Sequence, residues 1–237
     1  MNCALCLKSA DLQRSHIIPE FLFRALYDDK NRFHVISTDV AERNNYRQKG
    51  LYEPLLCAAC EQQFSRYERY ASLVLNGGPS LGYQFDRSAA IVTGIEYKLF
   101  RLFQLSVLWR AGVSRQEFFK DVSLGHHEES LRQALFAEDP GLFSKYGCVM
   151  FAIIHEGEVQ RNLMLQPKRV RFSGVSGYRF VFGGLVWIYV VSSHKSSAEI
   201  KRGFLSEGGR VVILLKQLGE FEDIIHMAKT LQTQGKL

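Results

Sequence analysis

An α+β fold is what this 237-residue sequence predicts, and three observations predict it. Two C-x-x-C pairs, Cys3/Cys6 and Cys57/Cys60, frame the opening of the chain. Apolar residues then recur at helical spacing between positions 89 and 112. From Lys145 onward the chain turns to runs of Val, Ile, Phe and Tyr punctuated by glycines, the signature of an antiparallel sheet. The expected organisation is a cysteine-framed module over residues 1–78, followed by residues 79–237. The second part comprises a helical segment and a basic antiparallel β domain closed by a terminal helix.

The elements follow in order. Pro19 starts a short helix over Glu20–Tyr27, where apolar residues are spaced helically. Residues 28–49 form a polar, broken insertion with a short strand at Arg32–Ser37; insertions of this kind in small modules often contact the ligand. The second cysteine pair leads into a helix through residue 75, which Asn76-Gly77-Gly78-Pro79 ends, because glycine suits the C-cap and proline cannot continue. Ile91, Ile95, Leu99, Leu102, Phe103, Leu105 and Leu108-Trp109 predict a long amphipathic helix over 89–112. Ser114, with Glu117 at the capping-box position, starts another helix, and Glu128–Ala137 is a further one. Val149–His155, Asn162–Gln166, Tyr178–Val191 and Arg210–Lys216 make a sheet of about four or five strands. Glu220–Gln232 closes the chain as an amphipathic helix.

Composition bounds the function classes. At 46% hydrophobic and 23% charged residues the chain has the material for a folded core. Lys8, Asp11 and Arg14 interrupt any signal-peptide pattern, and the longest apolar run, Phe180–Val191, is too short for a membrane span. A soluble protein of a reducing cytoplasm is expected. The net charge of +6 permits a polyanionic partner. That charge is uneven: the first 75 residues carry ten Lys/Arg against nine Asp/Glu, whereas Gln160–Gln217 carries ten against two. Lys168, Arg169 and Arg171 are the core of this basic stretch and the expected nucleic-acid contacts.

Two C-x-x-C pairs in a reduced chain read as a four-thiolate zinc site of Cys3, Cys6, Cys57 and Cys60. The fifth cysteine, Cys148, lies in an apolar run and is expected to be a buried thiol. Between the pairs lies Arg14-Ser15-His16-Ile17-Ile18-Pro19, and the second pair stands in Leu55-Leu56-Cys57-Ala58-Ala59-Cys60-Glu61.

Over roughly the first third of the chain these runs resemble the zinc-bearing branch of the HNH endonucleases, the ββα-metal nucleases. The resemblance implies an HNH-like ββα module whose structural zinc supports a metal-dependent phosphodiester hydrolase, most readily of double-stranded DNA. His16 matches the family's general base, which deprotonates the attacking water. Ser15 stands where the family usually has an acidic or histidine metal ligand, and Glu61 stands where a second ligand follows the last cysteine. The pair would hold a weakly bound Mg²⁺ or Mn²⁺ against the scissile phosphate. Tyr52 replaces the family's supporting asparagine, and Glu53 beside it is a candidate acceptor for orienting His16. Defence against foreign DNA is a role such a nuclease implies, and a homodimer or partner protein is compatible with it.

Other readings stand beside this one. The departures at Ser15 and Tyr52 fit a non-catalytic zinc finger that binds nucleic acid or a partner protein. His16 also reads, with less weight, as a structural histidine bonded to backbone, the basic stretch as a solvated surface, and Glu61 and Glu68 as a solvated helix face. His126-His127 beside Glu128-Glu129 reads as a helix N-terminal turn in solvent rather than a second metal site.

Overall fold

The computed structural model describes residues 1–78 and 80–237, so Pro79 of the expected helix stop lies outside the described residues. A tight turn carrying Cys3 and Cys6 leads into β1 (Leu12–His16) and a 3-10 turn over Glu20–Leu26. A small hairpin of β2 (Phe33–Val35) and β3 (Asn45–Arg47) fills the insertion. β4 (Tyr52–Cys57) then returns antiparallel to β1, and α1 (Ala58–Leu75) starts directly on its end.

Pro54 shapes this ribbon. It has no N–H to give to the ladder, and the register slips beside it, between Gln13 and Arg14. The bulge frees two backbone groups of β4. The Leu55 carbonyl accepts from the Ala4 N–H at 3.0 Å, tying the first cysteine turn to the ribbon. The Leu56 N–H donates to the Ser15 hydroxyl at 3.2 Å.

The next stretch departs from expectation. Residues 89–112 are not one helix. β5 (Gly82–Phe85) and β6 (Ala89–Thr93) form a hairpin, and α2 (Tyr97–Val113) begins only after Gly94. Ile91 fits the helical period, but it and Val92 are β-branched and pair with a later strand. Gly94 takes φ +85°, which breaks any helix there. α2 is then buried all round, with every residue from Phe100 to Ala111 inside, so it is a core helix rather than an amphipathic one. The helix expected from Ser114 is a single 3-10 turn over Glu117–Phe119, and α3 (His127–Phe136) follows it.

The remaining strands are β7 (Cys148–His155), β8 (Glu158–Val159), β9 (Leu165–Phe172), β10 (Val175–Phe182) and β11 (Leu185–Val190). After a short helix, α4 (Ala198–Lys201), come β12 (Val211–Gln217) and α5 (Glu222–Thr233). They form an eight-stranded sheet in the order β5-β6-β12-β7-β11-β10-β9, with β8 on β7. The sheet is larger than the four or five strands expected, because the β5–β6 hairpin joins it and the Tyr178–Val191 run folds back at Gly183-Gly184 into two strands. It is mostly antiparallel; β12 runs parallel to β7.

Both faces of the sheet are covered. Met150, Phe180, Phe182, Trp187 and Tyr189 pack toward α2 in a core that continues through α1 to the cysteine module. Val149, Phe151, Ile153, Val186 and Ile188 face the other way, toward Ile200, Phe204 and Ile224. β11 is accordingly buried at every position. Cys148 is buried as expected, and burial pushes its thiol up. Arg101 is fully buried on α2 and donates to the carbonyls of Lys145 and Tyr146, which anchors the entry to β7. No helix among the described residues is long and apolar enough to cross a membrane.

Candidate functional site

The first feature is the cysteine cluster. The ligand atoms of Cys3, Cys6, Cys57 and Cys60 all lie within 4.8 Å of one another. Cys6 Sγ and Cys57 Sγ are 3.8 Å apart. A tetrahedral zinc with Zn–S bonds of about 2.3 Å spaces its sulfurs by about 3.8 Å, so the donor set fits that ion. The backbone is arranged for thiolates. Burial alone pushes the Cys3 thiol up, but the backbone N–H groups of Cys6, Cys57 and Leu5 outweigh it and bring it down to about 7. Cys60 moves the other way, pushed up by burial and by the neighbouring cysteines. Four thiols this close cannot all ionise without a cation among them, and zinc would supply it. Cys57 and Cys60 stand at the N-terminus of α1, where the helix dipole also favours negative charge.

α3 locks the first cysteine turn from outside. Arg132 donates to the Leu5 carbonyl at 2.6 Å and is held by Glu129 through two further bonds of 2.7 Å each. That guanidinium holds the Glu129 carboxyl at about 2.

The second feature is the end of β1. Successive side chains of a strand point to opposite faces, so Ser15 and His16 diverge. Ser15 is fully buried and turned toward α1. Its hydroxyl donates to Glu61 Oε2 at 2.6 Å. Thus Ser15 and Glu61 are in direct contact, as neighbours on the ribbon and on the first turn of α1.

His16 lies on the partly open face. Its Nε2 is 3.0 Å from Glu20 Oε2, and its ring meets Tyr52 edge-on at 5.9 Å. Glu20 is itself fixed: the Tyr27 hydroxyl donates to Oε1 and the Gly50 N–H to Oε2 at 3.3 Å. Burial and the Glu20 carboxylate push the Tyr27 phenol up. A Cβ at Gly50 would come within 2.8 Å of both Glu20 and Phe23, so a larger residue there would push one of those side chains aside. A carboxylate on Nε2 holds the proton at that nitrogen and leaves Nδ1 as the free base.

The carboxylate that orients His16 is therefore Glu20, not Glu53. Glu53 is cross-strand from Ser15 rather than from His16, and it accepts from the Arg115 N–H at 3.2 Å. Glu68 is also not a solvated residue. The fully buried guanidinium of Arg110, on α2, donates to Glu68 Oε1 and to the His16 carbonyl, both at 2.6 Å. Neither partner was singled out in the sequence. For Glu20 a signal exists: it stands four residues after His16, and Pro19 starts the turn that folds it back. For Arg110 the signal is weaker, a charge inside an apolar helix, which demands a partner without naming one.

The expected nucleic-acid contacts Lys168, Arg169 and Arg171 are exposed on β9, the edge strand opposite β5. Arg169 and Arg171 share one face of the strand, and Lys168 points to the other. His127 Nδ1 lies 3.2 Å from the Tyr146 hydroxyl, and the cysteines are the one group of three or more metal-ligating side chains found among the described residues. Comparison with protein-family models, with curated proteins and with solved structures finds no match.

Proposed function

We propose that the chain is an HNH-type endonuclease, a metal-dependent hydrolase of phosphodiester bonds acting on DNA. The observation that supports the reading is an imidazole oriented by a carboxylate on the partly open face of β1. Ser15 meets Glu61 on one side, and one residue later His16 meets Glu20 on the other, both on a ribbon held by four cysteines. His16, with its proton held at Nε2, takes the proton of the attacking water at Nδ1. Glu20, fixed by Tyr27 and Gly50, keeps the ring oriented and stabilises the imidazolium that results. Arg110 holds the backbone carbonyl of His16, so the residue is fixed at its main chain as well as at its ring. Ser15 donates to one oxygen of Glu61, and the other carboxylate oxygen would hold a divalent cation, which supplies charge stabilisation at a phosphate when bound.

A second reading is favoured by one specific observation. The Ser15 hydroxyl is buried and already engaged by Glu61 and the Leu56 N–H, so a single carboxylate remains for a cation. That supports a zinc module that binds nucleic acid without cutting it. A plasmid-nicking assay with millimolar Mg²⁺ or Mn²⁺ separates the two. Cleavage by the parent protein, falling by about 10²–10⁴-fold in His16→Ala, is the expected result. Absence of cleavage with every cation tested leaves the binding reading in its place.

A further inference from the structure

We infer that the nucleic-acid strand is gripped by the insertion, in a basic cleft directly beside His16, and not by the basic edge strand of the sheet. The inference rests on the phosphodiester reading of His16 and names the surface that would serve it. The cleft has a volume of about 570 Å³ and is lined by Arg47, Gln48, Lys49, Gly50, Tyr52 and Gln116. That is room for about one nucleotide unit, within the usual range of ligand sites.

Its position follows from two shared residues. Tyr52, a wall of the cleft, is the cross-strand partner of His16, and the two rings lie 5.9 Å apart. Gly50, another wall, donates its N–H to the same Glu20 oxygen that holds His16. A phosphodiester in the cleft is thus one residue's breadth from the proposed base.

The charge is one-sided. Residues 43–49 carry Arg43, Arg47 and Lys49 and no acid, whereas the far turn of the insertion holds Asp39 and Glu42. Arg14, two residues before His16 on the same face of β1, lays its guanidinium 3.9 Å over the Tyr52 ring. Among the described residues none of Arg14, Arg47 and Lys49 has a carboxylate at ion-pair distance. The Gln116 Nε2 is buried without an acceptor, which leaves a neutral donor for a phosphate or sugar oxygen.

The insertion is also held in place. Lys236 Nζ donates to the carbonyls of Ser37, Asp39 and Glu42, and Asn44 Nδ2 donates to the Lys236 carbonyl at 2.9 Å. The basic strand of the hairpin is therefore presented on a fixed frame, which lowers the ordering cost of binding. By contrast, Lys168, Arg169 and Arg171 divide between two faces of an edge strand and do not converge.

The test is binding of a fluorescent duplex DNA, and of the matching single strand, without added divalent cation, across a salt series. Zinc content and thermal melting check that each variant is folded. In Arg47→Ala/Lys49→Ala the salt slope on duplex is expected to fall by about 0.9 per lost phosphate contact, with weaker binding at every salt concentration. Arg47→Lys/Lys49→Arg is expected to retain the parent slope. Lys168→Ala/Arg169→Ala/Arg171→Ala is expected to behave as the parent. An unchanged slope in the double alanine variant, or a slope lost only in the triple variant, overturns the inference. A parent protein that binds neither strand overturns it as well. Parent binding that is lost in the double variant, with no cleavage in Mg²⁺, upholds the cleft and removes the nuclease reading.

Discussion

The two ends of the molecule are held together by different means. The sheet is a double-faced hydrophobic structure: β11 is buried at every position, and apolar layers cover both its sides. The ribbon of β1 and β4 has one buried face, and its other face is given over to Arg14, His16 and Tyr52. What secures it is polar and specific: four cysteines, the Arg132 bond to Leu5, and the Arg110 bond to His16. A two-stranded ribbon is marginal by itself. The face bearing the candidate chemistry is thus kept free of apolar cover, and a cysteine cluster able to hold a metal, with two arginines, reinforces the core beneath it.

The largest test of this contrast is removal of one thiolate. Cys57→Ser is expected to abolish the one zinc per chain and to unfold the first 75 residues. Zinc binding in modules of this kind is worth about 10 kcal/mol or more of folding free energy. In hydrogen exchange, the amides of β1, β4 and the first cysteine turn should lose protection while those of β7, β10 and β11 keep it. Equal loss in the sheet would show that the shared core through α2 makes the two regions one cooperative unit, and the contrast would fail.

The parts that the sequence made legible follow the same division. The cysteine framework was plain because ligand spacing is a local code, and the buried sheet was plain because β-branched and aromatic runs are too. Where the reading failed, two codes overlapped. Ile91 and Ile95 match a helical period, yet β6 takes Ile91 into the sheet and Gly94 separates Ile95 from it. The site was half legible. The motif pointed to Ser15, His16 and Glu61, of which Ser15 and Glu61 lie in contact, but Glu68 and Arg110 form a contact across 42 residues that no local pattern encodes. The charge count points to the sheet because it sums over a stretch, whereas the proposed cleft depends on which few side chains share a wall.

The next test concerns the joint between the regions. Arg110 is fully buried and meets Glu68, the His16 carbonyl and two atoms of Ser106. Arg110→Met keeps the apolar stem but leaves Glu68 and the carbonyl unpaired. A loss of about 3 kcal/mol in denaturant unfolding is expected, typical of breaking a buried pair from one side. Glu68→Gln should cost less, because a neutral acceptor remains for the guanidinium. If Arg110→Met is as stable as the parent and the His16 ring keeps its NMR shifts, α2 does not position the ribbon.

The smallest expected effect tests the outer lock, and it is a matter of pH. Glu129 holds Arg132 through two bonds, and Arg132 in turn holds the Leu5 carbonyl of the first cysteine turn. The Arg132 guanidinium holds the Glu129 carboxyl at about 2, below the ordinary carboxylate value of about 4.5. A folded-state value that is depressed means the interaction contributes in full above the unfolded value and is lost as pH falls toward the folded one. The contribution of Glu129 should therefore be constant above about pH 5 and fade between about pH 4.5 and 2. Glu129 is on the surface, so solvent screens the pair and the effect is modest. The quantity to read is the melting-temperature difference between the parent and Glu129→Gln. Acid-induced changes that both proteins share cancel in the difference. A difference that is already absent at pH 7 would show that Arg132 reaches Leu5 without help from Glu129. One that instead grows as the pH falls would show that the carboxylate opposes the cysteine turn rather than securing it.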